Sequence, residues 1–326
     1  MISVVIPTYN GLQHLQICFD SLRNQTIRSH VQVKVILIDN GSSDGTLEFV
    51  KTSYPEVEII KLDKNYGFAK AVNEGIKFSL KDGNISHILL LNNDIECSEN
   101  FLEEMLKGFI DESVGSVACK MMNYYNRNII DDAGDFIKLI GSPYARGHAE
   151  EDKGQYDTPE YIFGACAGAA LYRKDIFNKI GFFDEDFFAY YEDVDFSLRS
   201  QLAGFKCYYN PKAVCYHKRG ATSGYTSGWQ TMLCEKNLVA LRIKNYPLSL
   251  YLKLNPLFLV GRLKRYYGLF RAGNYKVFRS SIKGYLLGLL QYPKSLLKRR
   301  KIQFLKKVDN KYFNSIFTYR KDKYKV

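Results

Sequence analysis

The first hundred residues alternate short apolar runs with helical patterns, and this alternation restricts the fold more than any other feature. Runs of strand length, rich in β-branched residues, lie at residues 2–6, 33–38, 57–62 and 88–91. Apolar side chains at helical spacing occur between them, at residues 11–25, 46–52 and 66–80. Strands that alternate with helices build right-handed βαβ units. We therefore predict an α/β fold with a mainly parallel sheet flanked by helices.

Polar side chains follow three of these strands at the point where each strand ends. Thr8-Tyr9-Asn10 follows the first strand, Asp39 ends the second, and Asn92-Asn93-Asp94 follows the fourth. Ligands of a parallel sheet bind beyond the carboxyl ends of its strands. Each residue alone could be a turn or cap residue, but three such strand ends together favour a ligand site. The first strand is not followed by GxGxxG, which argues against a dinucleotide oxidoreductase.

Residues 191–195 (YEDVD) place three carboxylates in four positions at the start of a helical pattern. Val194, Leu198 and Leu202 supply the apolar spacing of that helix. Acidic residues in a first turn often only complement the helix dipole. Here an aromatic run over residues 187–191 precedes them, and it can desolvate one carboxylate and raise its pKa, as suits a general base.

The chain between and after these features is less regular. Residues 123–160 are rich in glycine and poorly patterned, and we interpret them as a mobile excursion that could border a substrate site. Residues 161–173 predict one strand of small residues, where either a ligand or a packed helix approaches closely. Two further strands are predicted at residues 205–209 and 213–216, around a turn at Asn210-Pro211.

The last of these strands ends at His217-Lys218-Arg219. A lone histidine is more often structural. One at a strand end beside two cations is a candidate for a metal or phosphate contact.

The net charge of +12 comes entirely from the end of the chain. Residues 1–235 carry 23 Lys/Arg against 32 Asp/Glu, whereas residues 236–326 carry 23 against 2. Leucine and tyrosine alternate with the basic residues there, a pattern typical of amphipathic helices on an anionic bilayer. A solvated helical cap and a nucleic-acid surface are the alternatives. We favour the membrane surface and expect no nucleic-acid partner, because the sequence contains no recognisable nucleic-acid-binding module.

Seven cysteines without paired CxxC spacing argue against a disulfide framework or structural zinc site, and favour a reducing compartment. The chain enters a strand-like run at Ile2, so we expect no signal peptide. No window is apolar enough over ~18 residues to predict a membrane span. These features predict a cytoplasmic protein.

A set of short motifs occurs in the order found in one enzyme family. The motifs lie at residues 4–10 (VVIPTYN), 38–46 (IDNGSSDGT), 65–69 (NYGFA), 73–75 (NEG), 91–94 (LNND), 164–169 (GACAGA), 181–185 (GFFDE), 191–195 (YEDVD) and His217. The chain resembles the inverting family 2 glycosyltransferases of the GT-A fold, particularly the bacterial rhamnosyltransferase-like branch. Each motif alone is weak, but the ordered set over residues 1–220 is specific.

The resemblance implies how the chain is divided. A GT-A catalytic domain would cover residues 1–236, with a nucleotide-binding half at about 1–110 and an acceptor half at about 111–236. A basic amphipathic helical region would follow over residues 237–326.

The resemblance also implies a donor site for a nucleotide sugar. Thr8, Tyr9 and Asp39 would hold its base and ribose, and Lys218 or Arg219 would stabilise the leaving diphosphate. The remaining residues that would line this pocket are Pro7, Asn10, Asn65, Gly67, Asn73, Asn92 and Asn93.

A divalent cation and a catalytic base complete the implied site. Asp94 would bind Mg²⁺ or Mn²⁺ with His217 as a second ligand; the family's DxD motif is here Asn92-Asn93-Asp94, so its first carboxylate is missing. Such hard ions bind through oxygen ligands and substrate phosphates, so few protein ligands can suffice. Asp193 would be the general base, with Glu192 positioning the acceptor or orienting the base, while Asp195 would be structural.

The implied activity is inverting transfer of a sugar from a dTDP-rhamnose or UDP-hexose type of donor to a glycan hydroxyl in bacterial surface polysaccharide synthesis. A polyprenyl-diphosphate-linked acceptor fits the basic tail, and we expect a peripheral location on the inner face of the cell membrane. Two alternatives remain at this point. One is a nucleotidyltransferase-like α/β enzyme, and the other is a non-catalytic membrane or nucleic-acid adaptor carried by the tail.

Overall fold

A computed structural model describes residues 1–219 and 228–318 of the chain. Its main sheet has ten strands in the order β10-β12-β6-β11-β4-β1-β2-β3, with β5 paired to β12 and β7 to β6. These strands are β1 (Ile2–Thr8), β2 (Val33–Asp39), β3 (Glu58–Lys61), β4 (His87–Leu91), β5 (Ile95–Cys97), β6 (Val114–Asn123), β7 (Ile130–Asp132), β10 (Glu160–Ile162), β11 (Ala169–Arg173) and β12 (Lys206–His217). A small second sheet contains β8 (Asp135–Lys138), β9 (Pro143–Ala145) and β13 (Phe317–Thr318).

Helices flank the main sheet and form the C-terminal region. Those of the first two thirds of the chain are α1 (Leu12–Arg23), α2 (Thr46–Ser53), α3 (Phe68–Leu80), α4 (Phe101–Lys107), α5 (Lys174–Ile180) and α6 (Glu192–Leu202). Those of the C-terminal region are α7 (Gly228–Asn245), α8 (Leu248–Arg271), α9 (Tyr275–Leu290), α10 (Tyr292–Phe304) and α11 (Asn310–Ser315).

The prediction of an α/β fold with flanking helices is confirmed. Strands β4, β1, β2 and β3 are parallel neighbours, and β6 and β12 form a second parallel pair. Strand β11 joins the two groups and runs antiparallel to both. The pairing of Thr8 with Asp39 brings two of the predicted ligand-binding strand ends side by side.

The core lies on both faces of this sheet because successive strand residues point to opposite sides. In β1, Val4 and Ile6 belong to the apolar layer that includes Leu15 and Phe19 of α1. Val5 between them belongs to the layer formed with α3. All three valine and isoleucine side chains are fully buried, as expected for strands covered by helices on both faces.

Three predicted segments differ from the structure. The strand expected over residues 161–173 is divided into β10 and β11, with residues 163–168 forming an irregular segment. The strands expected on either side of Asn210-Pro211 are one strand, β12. Its register against β6 shifts between Asn210 and Val214, and such a bulge accommodates a proline, which cannot donate to the ladder. The stretch over residues 123–160 contains β7, β8 and β9.

The C-terminal helices pack against the first two thirds of the chain through α6. Val194, Leu198 and Leu202 of α6 are buried as predicted, in a cluster with Leu238 and Leu241 of α7. The predicted boundary between residues 236 and 237 lies inside α7, which is buried on both sides of that point. The division of the chain at this point stays a prediction, and its last eight residues, 319–326, lie outside the described residues. Among the helices of residues 1–219 and 228–318, none is long and apolar enough to cross a membrane.

Candidate active site

The floor of the site is formed at the carboxyl ends of β1 and β4. The Asn93 amide nitrogen donates to the Thr8 hydroxyl oxygen at 2.8 Å, and both residues are buried. A Cβ at Gly11 would lie 1.9 Å from that amide nitrogen, so only glycine lets the start of α1 come this close. The backbone N–H of Asn92 donates to the Gly168 carbonyl at 2.8 Å. The strand end is thus joined to the irregular segment over residues 163–168.

Asp39 at the end of β2 carries a free acceptor atom. Its Oδ1 accepts from the Ser42 N–H at 3.1 Å, whereas Oδ2 is buried without a hydrogen-bond partner among the described residues. Burying a carboxylate oxygen without a hydrogen-bond donor costs free energy, so this atom is a candidate to accept a hydrogen bond from a bound ligand. Tyr9, which follows Thr8 in the chain, is 39% exposed. The loop of Asn10 is joined to the segment after β2 by hydrogen bonds with Ser42 and Ser43. Pro7 is half-buried in β1.

The loop over residues 63–67 closes the same side of the site. Asn65 Oδ1 accepts from the Asn40 amide at 3.0 Å and from the Gly67 N–H at 2.9 Å. Gly67 has φ +87°, and a Cβ there would lie 2.4 Å from the Phe188 carbonyl oxygen, so glycine is required on two grounds. The amide of Asn73 is used within the chain, because it bonds both the Phe183 backbone and the Glu185 carboxylate.

Asp94 and His217 lie together at the predicted metal position. His217 Nε2 is 3.5 Å from Asp94 Oδ1, and its Nδ1 is 2.7 Å from Asp131 Oδ2. Burial alone would lower the pKa of His217, but hydrogen bonds with Asp131 and Asp94 outweigh it and raise the pKa to about 9. Burial raises the pKa of Asp94, and the hydrogen bond and charge of His217 more than reverse this, so the net pKa is lowered.

This donor set fits a divalent cation. A carboxylate and an imidazole nitrogen face each other, and the other ring nitrogen is oriented by a second carboxylate, which is the usual support of a metal-binding histidine. When both ring nitrogens of His217 are protonated, its positive charge lies between the carboxylates of Asp94 and Asp131. Metal binding would release that proton.

Two cations at the end of β12 lie next to this pair. Arg219 forms an ion pair with Asp131, and Lys218 is buried with its ammonium 4.5 Å from the centre of the Tyr124 ring. The Lys218 N–H donates to the Asp94 carbonyl at 3.1 Å, which joins β12 to the strand end of β4.

The predicted base, Asp193, lies in the first turn of α6 and is half-buried. Its Oδ2 accepts from the Ala167 N–H at 3.2 Å and its Oδ1 from the Val194 N–H at 2.8 Å. Burial raises the pKa of Asp193, and the backbone N–H groups limit the rise. Burial and the neighbouring Asp193 charge raise the pKa of Glu192 well above its usual range. Glu192 Oε2 has no hydrogen-bond partner in the described part of the chain.

The loop directly before the first turn of α6 has a strained backbone. Phe188, Tyr190 and Tyr191 have φ of 64°, 69° and 69°, a region that L residues adopt at a cost of about 1–3 kcal/mol each. Asn237 of α7 holds the loop, because its amide nitrogen donates to the carbonyls of Phe187, Ala189 and Tyr190 at 3.0, 2.9 and 2.7 Å. Helix α7 therefore helps to hold the backbone conformation of the loop that leads into Asp193.

Asp195, predicted to be structural, is fully buried in an ion network between α6 and α7. It accepts from Arg199 at 3.0 Å, from the Asn245 amide at 2.7 Å and from the Lys244 ammonium at 2.8 Å. Lys244 also pairs with Asp184, as does Lys298 of α10.

Sequence reasoning missed several contributors to the site. Asp131 orients His217, and its neighbour Asp132 lies near Asp135, Cys166 and Asp193. Burial, the Asp131 charge and, more weakly, the Asp193 charge raise the pKa of Asp132 to about 7. The available sequence signal was the Asp131-Asp132 pair inside a poorly patterned stretch.

A family model described as "Glycosyl transferase family 2" matches residues 3–181, which is more than half of the chain. The N-acetylglucosaminyl-diphospho-decaprenol L-rhamnosyltransferase of Mycobacterium tuberculosis is 27% identical over 247 residues, covering 69% of this chain and 78% of that protein. The low-salt glycan biosynthesis hexosyltransferase Agl10 of Haloferax volcanii is 22% identical, covering 61% of each chain.

Among solved structures, the mannosyltransferase PcManGT of Pyrobaculum calidifontis, in complex with GDP-Man and Mn²⁺, has a TM-score of 0.55 at 17% identity. The match covers 93% of this chain and 85% of that one, which shows a shared GT-A fold. With the family match over residues 3–181, these findings show that the chain belongs to glycosyl transferase family 2 and is a glycosyltransferase.

Proposed function

We propose that the protein transfers a sugar from a nucleotide-sugar donor to a hydroxyl of a glycan acceptor, with inversion at the anomeric carbon. The observation that carries the proposal is the free Asp39 Oδ2 at the strand end beside Thr8. A nucleobase or ribose donor group would satisfy this buried oxygen. In the proposed site, Tyr9, Asn65 and Gly67 border the nucleotide.

Four of the predicted donor-site residues would support the walls of this pocket rather than contact the nucleotide sugar. They are Pro7, Asn10, Asn92 and Asn93. Asn93 already bonds Thr8, and Asn10 already bonds the β2 end. Asn73 bonds the segment over residues 183–185, so its proposed contribution is to hold that segment.

Asp94 and His217 would hold Mg²⁺ or Mn²⁺ at the donor diphosphate. When bound there, the ion would neutralise negative charge on the leaving nucleoside diphosphate. Lys218 and Arg219 add fixed positive charge at the same end of β12. The Mn²⁺ bound by the Pyrobaculum mannosyltransferase supports a divalent cation as cofactor.

Asp193 would act as the general base. It takes the proton of the acceptor hydroxyl while that oxygen attacks the anomeric carbon from the face opposite the nucleoside diphosphate. The new bond is the glycosidic C–O bond, and the bond to the diphosphate oxygen breaks with its electron pair. The raised pKa brings the Asp193 carboxylate closer to the basicity that this proton transfer needs. Glu192 lies beside the base and would orient the acceptor.

We further propose a lipid-linked acceptor in bacterial surface polysaccharide synthesis. The name of the Mycobacterium relative, which specifies a diphospho-decaprenol acceptor and rhamnosyl transfer, supports this. The donor would be of the dTDP-rhamnose or UDP-hexose type, and the enzyme would work at the inner face of the cell membrane.

The C-terminal helices supply a surface for that membrane. Leu286 and Leu290 of α9 are 53% and 77% exposed, and with Arg279, Ile282 and Lys283 they line an apolar groove of about 330 Å³. Exposed leucines flanked by basic side chains match the chemistry of an anionic bilayer surface. Three basic side chains of α10 instead interact within the chain. Lys294 pairs with Asp186, Lys298 pairs with Asp184, and Arg299 donates to backbone carbonyls.

Calorimetry with UDP-, dTDP- and GDP-sugars, with and without Mn²⁺, tests the donor site. We expect saturable binding of one nucleotide class, strengthened by Mn²⁺ and weakened in Asp39→Asn but not in the surface variant Asp20→Asn. Failure of the folded protein to bind any of these donors would overturn the proposed function.

Sedimentation with phosphatidylglycerol vesicles tests the membrane surface. The double variant Leu286→Gln/Leu290→Gln should lose binding. Ile110→Gln, which removes an apolar side chain of equal exposure (53%) from the catalytic part, should bind like the wild type. Equal binding by all three proteins would exclude this surface.

A further inference from the structure

A polar pocket of about 210 Å³ lies between the catalytic turn and the tail helices. Tyr191, directly before α6, lines it together with Cys234 and Glu235 of α7 and Arg262 and Arg265 of α8. Tyr191 hydrogen-bonds Cys234. The pocket therefore adjoins the turn that carries Glu192 and Asp193, and the donor site described above does not use it.

The pocket has an excess of positive charge. Glu235 is 4% exposed, and its carboxylate lies 2.8 Å from Arg262 Nη1, 3.2 Å from Arg265 Nε and 3.3 Å from the Tyr266 hydroxyl. Two guanidinium groups against one carboxylate leave a net positive charge. The carboxylate holds both guanidinium groups in place.

These two arginines can still donate hydrogen bonds to a ligand. Arg262 Nε is buried without an acceptor among the described residues, and the Arg265 side chain is 45% exposed. The planar guanidinium fork matches phosphate oxygens in geometry and charge. An anion of one or two phosphate groups suits both the charge and the volume of the pocket.

An apolar strip lies on α8 beside Arg262 of the pocket. Leu259, Leu263 and Phe270 are 39%, 66% and 53% exposed, and helical spacing places them in one strip next to the row of Arg262. A ligand with a phosphate group and a long apolar chain can use both features at once.

We infer that this pocket binds the diphosphate of a lipid-linked acceptor, so that its sugar reaches Asp193 and its lipid chain follows the apolar strip of α8. The inference rests on the lipid-linked acceptor of the proposed function. It assigns the tail helices a part in acceptor recognition in addition to docking on the membrane.

The test is calorimetric binding of geranyl diphosphate to the full chain, with the donor site first saturated by Mn²⁺ and the nucleoside diphosphate that binds there. The wild-type protein should bind it, and Arg265→Gln should weaken binding at least tenfold. Lys264→Gln removes the same charge from the next residue, which does not line the pocket, and should bind like the wild type. Unchanged nucleotide binding shows that each variant is folded and that the donor site is intact.

Several outcomes would overturn the inference. One is failure of geranyl diphosphate to bind while the nucleotide still binds. Another is an equal effect of Arg265→Gln and Lys264→Gln, which would indicate unspecific attraction. A third is that Arg265→Gln weakens binding to phosphatidylglycerol vesicles but not to geranyl diphosphate, since the arginines would then recognise bilayer headgroups. If the wild-type protein binds no nucleotide at all, this result would instead refute the proposed function itself.

Discussion

Replacing Lys244 by methionine should destabilise the junction between the segment over residues 184–195 and the C-terminal helices α7 and α10. The Lys244 side chain is 2% exposed and pairs with two carboxylates, Asp184 and Asp195, whose side chains are 10% and 0% exposed. Methionine fills a similar volume but leaves both carboxylates without this partner. Removing one member of a buried ion pair costs about 3–5 kcal/mol.

The structure places the effect of Lys244→Met at the lower end of that range. Asp184 keeps Lys298, and Asp195 keeps Arg199 and Asn245, so neither carboxylate is left without a donor. We expect a loss of about 3 kcal/mol in the free energy of unfolding. At about 2.1 cal/mol/K of unfolding entropy per residue, a 326-residue chain loses ~1.5 °C in Tm per kcal/mol, so Tm should fall by ~4 °C.

Thermal unfolding followed by circular dichroism measures this change. Lys264→Met, on the exposed part of α8, is the matched control and should stay within about 0.5 kcal/mol of the wild type. A Lys244→Met protein as stable as that control would refute the argument that the buried network fastens the tail to α6.

The remaining predictions concern the active site. Asn237→Ala removes the amide that donates hydrogen bonds to three loop carbonyls. Turnover should therefore fall in steady-state kinetics, while the Kd of the nucleotide sugar measured by calorimetry stays unchanged. A lower affinity for the nucleotide sugar would contradict this role. Asp132→Asn should raise Tm at pH 8 more than at pH 5. The pKa of Asp132 is raised from 3.8 to about 7 in the folded chain, so its favourable contribution is complete below pH ~4 and is lost as the pH rises through ~7. An equal Tm change at the two pH values would contradict the raised pKa.

The parts of the fold that the sequence predicted are those with strong local periodicity. β1 to β4 and α6 were predicted within one or two residues, because buried strands and an amphipathic helix leave regular apolar patterns. The bulged β12 was predicted as two strands, since Asn210-Pro211 is a turn signal that pairing with β6 overrides.

The parts of the site that were missed depend on contacts between distant segments. Asp131 meets His217 only when β7 pairs with β6, and Asn237 meets the loop over residues 187–190 only when α7 packs against it. The basic tail shows the same effect. Lys298 belongs to a charge pattern typical of membrane helices, yet it pairs with Asp184, more than a hundred residues earlier in the chain.

The most direct test of the account is the comparison of Asp193→Asn with the wild type for both turnover and donor binding. If Asp193 is the general base, transfer from the bound donor should fall by about 10²–10⁴-fold. The Kd of the nucleotide sugar should stay unchanged, because the Asp193 carboxylate accepts from backbone N–H groups, among them those of Ala167 and Val194. Transfer at the wild-type rate, or loss of donor binding in this variant, would contradict the assignment of Asp193 as the base of an inverting glycosyltransferase.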